Sequence, residues 1–133
     1  MKILMLFVLL LCTVRVLAPT DRRLYIAQAE GIQPYERLKH AVGMVESHCD
    51  TLAYNPVEKA TGFFQVRPIR LLDYNQRTGS HYKLADMYNY KKAEKVFMYY
   101  ARDGCLDLER IARRWNGSGK KTIDYWNKVK KFL

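Results

Sequence analysis

Residues 45–68 read VESHCDTLAYNPVEKATGFFQVRP, and the fold turns on how that run is divided. Upstream of it, Leu38, Ala41, Val42, Val45 and Cys49 recur at helical spacing from Pro34, a good first-turn residue. The run therefore opens as the end of an amphipathic helix. Asn55-Pro56 and Gly62 then punctuate a polar, turn-rich stretch, and Pro68 separates an approach from a short helix. A further loop surrounds Thr78-Gly79-Ser80. Helical spacing returns with Ala93, Val96, Phe97, Tyr100 and Ala101, stopping at Gly104, and again with Leu108, Ile111, Ala112 and Trp115, stopping at Gly117. A last helix starts near Thr122 and carries Tyr125, Val129 and Phe132 on one side. No stretch alternates with period two. The pattern predicts a mainly α domain of about five short helices around one core, with at most a small irregular hairpin.

The chain has 133 residues, enough for one domain and too few for two. It opens MKILMLFVLLLCTVRVLA, a lysine followed by an apolar run shorter than the ~20 residues a membrane span needs. Residues 1–18 therefore read as a secretory signal peptide ending at Val16-Leu17-Ala18, with retention as an uncleaved anchor still open. Without them the chain keeps 21 basic and 13 acidic residues, a net charge of +8. Such a balance suits an anionic polymer or an acidic surface, and equally a generic basic exterior. No zinc-finger spacing, Gly-rich phosphate loop or RNA-binding aromatic motif is present, and an exported protein rarely meets nucleic acid. The bacterial cell wall is the leading polyanion. Past the signal only Cys49 and Cys105 remain, and in an oxidising compartment they are candidates for a disulfide or for two separate thiols.

Glu46 lies four residues after Val42 and eight after Leu38, so it borders the apolar face. Positions one turn away hold Val42, Gly43, Cys49 and Asp50, with no cation to pair it. Burial without such a partner raises a carboxyl pKa, the property a general acid at neutral pH requires. A glutamate merely marking the solvent edge of a helix is the plainer alternative.

The surrounding motifs bear on that choice. Glu46-Ser47, then Gly62-Phe63-Phe64-Gln65 and Pro68, then Trp115-Asn116-Gly117, then Thr122, Tyr125, Lys128 and Val129 occur in that order. This ordered set resembles the soluble lytic transglycosylase family, the goose-type lysozyme-like enzymes that cleave peptidoglycan. The resemblance covers about residues 34–133. It departs at Arg114-Trp115-Asn116, where Ala-Tyr-Asn is usual, at Arg67, where an apolar residue is common, and in a short Gly117–Lys121 linker.

The resemblance implies a lysozyme-like fold and a lytic transglycosylase that cuts the MurNAc-GlcNAc β-1,4 bond without any cofactor. Glu46 would be the single catalytic acid and base. Gln65, Asn116 and Tyr125 would contact the glycan or the acid, Ser47 would fix the acid's neighbourhood, and Phe63 and Phe64 would line or back the cleft. It implies a monomer in the periplasm or envelope, acting on glycan strands for a conjugation, secretion or phage assembly or for general remodelling, with no nucleic acid partner.

A lysozyme-type hydrolase, with Asp50 or Asp73 helping to activate water, shares this fold and substrate. A non-catalytic wall-binding or assembly protein is the alternative from another class. A cysteine peptidase fits poorly, since His48 and Cys49 are neighbours whose side chains diverge by about 100° in a helix. Three histidines at positions 40, 48 and 81 show no metal-ligand spacing.

Overall fold

The computed structural model describes residues 22–102 and 107–133, with side chains from residue 35 onward. The expected signal peptide and Cys105 lie outside the described residues. Two compact units divide the chain, Met1–Gln33 and Pro34–Leu133. The second unit is mainly helical. Its elements are α1 (Arg22–Ser47, in this unit from Pro34 on), β1 (Tyr54–Asn55), β2 (Ala60–Thr61), α2 (Pro68–Thr78), a 3-10 turn (Leu84–Tyr88), α3 (Tyr90–Ala101), α4 (Leu108–Asn116), α5 (Lys121–Val129) and a closing 3-10 turn (Lys130–Phe132).

Pro34 lies inside α1, not in its first turn as the sequence suggested. Proline's fixed φ is itself helical, and what it forfeits is one backbone hydrogen bond. Leu38, Ala41 and Val42 are fully buried, as their spacing required. The helix then stops abruptly. His48 and Cys49 take left-handed φ values of 55° and 63°, and Cys49 N–H donates to Gly43 O at 3.0 Å. This closure normally uses glycine. His48, Cys49 and Asp50 therefore lie beyond the helix, so the expectation that they continue it is corrected.

The polar stretch forms the small hairpin. Tyr54 pairs with Thr61 and Asn55 with Ala60, antiparallel. Asn55 Oδ1 accepts from the backbone N–H of Val57 at 3.0 Å, an Asx turn that shapes the tip. Thr61 and Val66 exchange backbone hydrogen bonds of 3.1 and 3.0 Å, which pinches Gly62–Gln65 into a tight turn. Gly62 there has φ 77°, and a Cβ on it would lie 2.0 Å from Met87 O. Only glycine fits.

That turn drives Phe63 and Phe64 inward. Phe64 is fully buried and stacks on Phe97 at 4.6 Å between ring centroids, with Trp115 edge-on to both. Around this aromatic centre pack Met87, Val96, Ile111, Ala112 and Val129. The stripes read for α3 and α4 are the buried faces. Phe132 is not: α5 ends at Val129 and Phe132 is 42% exposed in the closing turn. Lys39, itself buried, bridges α1 to α3 by binding both Glu36 and Glu94. Among the described residues no helix is long and apolar enough to cross a membrane.

Phe63 reaches α1 at Gly43, where a Cβ would sit 2.1 Å from its ring. Alanine inside a helix is ordinarily worth ~1 kcal/mol over glycine. Here the clash reverses the sign, and Gly43→Ala should destabilise the protein by about 1–3 kcal/mol in urea unfolding. A stability gain would show that the ring does not lie on the helix.

Candidate functional site

Three elements converge on the end of α1. Glu46 lies in its last turn, half buried. Tyr125, in the middle of α5 and 7% exposed, donates its hydroxyl hydrogen bond to Glu46 Oε1 at 2.8 Å. The Gly62–Gln65 turn lies alongside, tied down by the residue next to the acid. Ser47 is buried, and its Oγ donates to Phe63 O at 2.8 Å and to Gly43 O at 3.3 Å. It fixes the neighbourhood and does not face the cleft.

Glu46 opens into a small polar cleft whose walls also include Gln65, Asn116 and Trp115. Gln65 has a left-handed φ of 49°, a conformation that costs energy for a side-chain-bearing residue. Its Nε2 donates to Gly62 O at 3.0 Å and Ala53 O at 3.3 Å. The amide nitrogen thus braces the loop while the residue borders the cleft. Trp115 Nε1 donates to Phe64 O at 3.2 Å, which joins the far wall to the same turn. The Phe64 ring is in the core and backs the cleft without lining it.

The remaining lining residues, Glu58, Arg67 and Arg70, were not assigned to the cleft from the sequence. Arg67 precedes α2 and donates to Asn116 O at 2.8 Å. Arg70, in the first turn of α2, donates to Trp115 O at 2.8 Å and Arg114 O at 3.2 Å. Its guanidinium also lies over the rings of Tyr100 and Trp115, 4.7 and 4.9 Å from their centroids. Two cations thus hold the last carbonyls of α4, where the helix dipole is negative. Glu58, at the hairpin tip, approaches Arg67 at 3.8 Å. Arg67 gave one sequence signal, its place immediately before Pro68. Glu58 gave none, because only the hairpin carries it to the acid.

Burial pushes the Glu46 carboxyl up to about 7, against the downward pull of the Tyr125 hydrogen bond and of Arg67; Glu58 adds to the rise and Arg70 opposes it. No ion pair engages Glu46 among the described residues. Tyr125 is in turn held protonated, by burial and by the carboxyl it faces. The site therefore contains an acid that carries its proton near neutrality, with one oxygen oriented by a phenol.

The other carboxylates considered do not join it. Asp50 is exposed and accepts from the backbone N–H of Leu52 at 2.8 Å. Asp73 binds Arg77 and Tyr100, each at 2.7 Å, and these partners hold its carboxyl below the usual range. Cys49 is a free, half-buried thiol whose pKa burial raises. No group of histidine, cysteine, aspartate and glutamate among the described residues could hold a metal ion. Comparison with protein-family models, curated proteins and solved structures finds no match to the chain.

Burying Glu46 has a stability consequence. Its folded pKa lies above the ordinary value near 4.5, so the folded state holds the proton more tightly between about pH 4.5 and 7. Stability is then fully present below the unfolded pKa and falls as pH rises through the folded one. Glu46→Gln removes that loss. The variant should match the wild type at pH 4 and exceed it by up to about 3 kcal/mol at pH 8, by urea unfolding. Equal stability at pH 8 would mean that the carboxyl is well solvated.

Proposed function

We propose that the chain is a lytic transglycosylase that cleaves the MurNAc-GlcNAc β-1,4 bond of peptidoglycan with Glu46 as its acid and base, on a lysozyme-like fold. The observation that carries the reading is a half-buried glutamate, protonated to about pH 7, at a polar cleft and hydrogen-bonded by Tyr125. The ordered motifs that resemble the family supply the substrate.

In this reaction Glu46 gives its proton to the glycosidic oxygen while positive charge builds on the muramoyl ring. Because Tyr125 donates to Oε1, the transferable proton sits on Oε2. The ring's own C6 hydroxyl then attacks the anomeric carbon, and the Glu46 carboxylate takes up the hydroxyl proton. The products are a 1,6-anhydromuramoyl end and a free C4 hydroxyl, with no water consumed. Tyr125 holds the carboxyl in place and steadies its charge between the two transfers. Gln65 and Asn116, which border the cleft, would meet sugar hydroxyl or acetamido groups. The net positive charge suits the anionic wall and the envelope as the working location.

Glu58 favours a second reading. It is a second carboxylate lining the same cleft, carried by a different element, and a hydrolase of the usual kind adds such a second carboxylate. Digestion of purified sacculi followed by mass spectrometry separates the two. Products one water lighter than those of a hydrolase, lost by about 10²–10⁴-fold in Glu46→Gln, are expected. Products of hydrolytic mass that also disappear in Glu58→Gln would establish the second reading. Undiminished cutting by Glu46→Gln would sink both.

A further inference from the structure

We propose that Arg67 is a specificity-determining residue that pairs with the free lactyl carboxylate of a muramoyl sugar, so that the preferred strand is one already stripped of its stem peptides. This rests on the glycan-cleaving reading above. The two cleft arginines differ in how fully they are engaged. Arg70 spends its donors on the carbonyls of Arg114 and Trp115 and its flat face on Tyr100 and Trp115. Arg67 gives Nη2 to Asn116 O, while its Nη1 stands 3.8 Å from Glu58 Oε1, beyond hydrogen-bonding distance. A guanidinium has five N–H donors in a planar fork that suits a carboxylate. The Arg67 side chain is 34% exposed and Glu58 54%, so the weak pair opens to solvent and a ligand can displace it.

Charge points the same way. With Glu46 protonated, the cleft holds two cations, Arg67 and Arg70, against one carboxylate, Glu58. A neutral sugar does not need that excess; an anion beside the scissile bond does. Hydroxyl and acetamido groups leave only one ionisable group on the wall glycan's own rings. It is the lactyl carboxylate, attached to the same ring as the anomeric carbon that reacts. With the stem peptide present it is an amide and carries no charge. Water added across that amide, giving a carboxylate on the sugar and an amine on the peptide, exposes it. The class of reaction that supplies the preferred substrate is therefore an amide hydrolysis.

The test uses the full chain on peptide-bearing and amidase-stripped glycan strands. Cut ends are counted by mass spectrometry. The wild type should cut stripped strands with kcat/KM about tenfold higher, the scale of one charge-assisted hydrogen bond. In Arg67→Gln that ratio should fall to near one whatever the absolute rates, and Arg67→Lys should keep part of it. A wild-type ratio near one, or a ratio that Arg67→Gln leaves intact, overturns the inference while leaving cleavage standing. If the variants do not fold, wild-type inhibition by N-acetylmuramic acid and by its methyl ester decides. The acid should inhibit at about tenfold lower concentration, and equal potency overturns the inference. Failure to cut either strand overturns the cleavage reading and this one together.

Discussion

The Phe63 ring occupies the space a side chain at position 43 would fill. That contact seats the Gly62–Gln65 turn on α1, and most of the site follows from it. Once the turn is down, Ser47 can reach Phe63 O, Phe64 enters the aromatic centre and Trp115 finds a carbonyl for its indole N–H. The acid becomes half buried because its helix ends where the turn begins. Neither residue forming the contact is polar, yet together they set the solvation of Glu46. Packing determines the acidity here.

The carboxyl's surroundings are a balance of opposing influences. Burial raises its proton affinity; the Tyr125 hydroxyl and Arg67 lower it; Glu58 raises it again. Burial is first among these, so the net effect is an acid charged only above about neutral pH. A closer cation would have converted Glu46 into an ordinary ion-pair partner. The nearest guanidinium groups are instead turned to backbone carbonyls at the end of α4, which keeps them close without letting them quench the acid.

Much of this was legible because it is local. The stripe from Leu38 to Val42, the break at Gly62, the start of α2 at Pro68 and the end of α4 before Gly117 all follow from spacing and from residues that restrict the backbone. Glu46 and Tyr125 could be named because burial periodicity and the ordered motifs both singled them out. The hairpin of Tyr54–Asn55 with Ala60–Thr61 was too short for any alternation to register, so Glu58 at its tip went unassigned. Non-glycine residues in left-handed backbone, His48, Cys49 and Gln65, leave no compositional trace. Helix was therefore extended past its true end. Arg67 and Arg70 illustrate a third limit: their partners are main-chain carbonyls far along the chain, and no residue type announces an acceptor that every residue carries.

The hold on α4 also works as a gauge. Arg67 immediately precedes α2 and Arg70 lies in its first turn, and what they grip is the opposite rim, so the aperture between the rims is set by the reach of one kind of side chain. A shorter residue at either place would narrow or release the gap, and a neutral one would leave bare carbonyls facing the cleft. The width of the cleft is thus calibrated by covalent bond lengths, and its calibration lies outside the acid and the phenol that orients it.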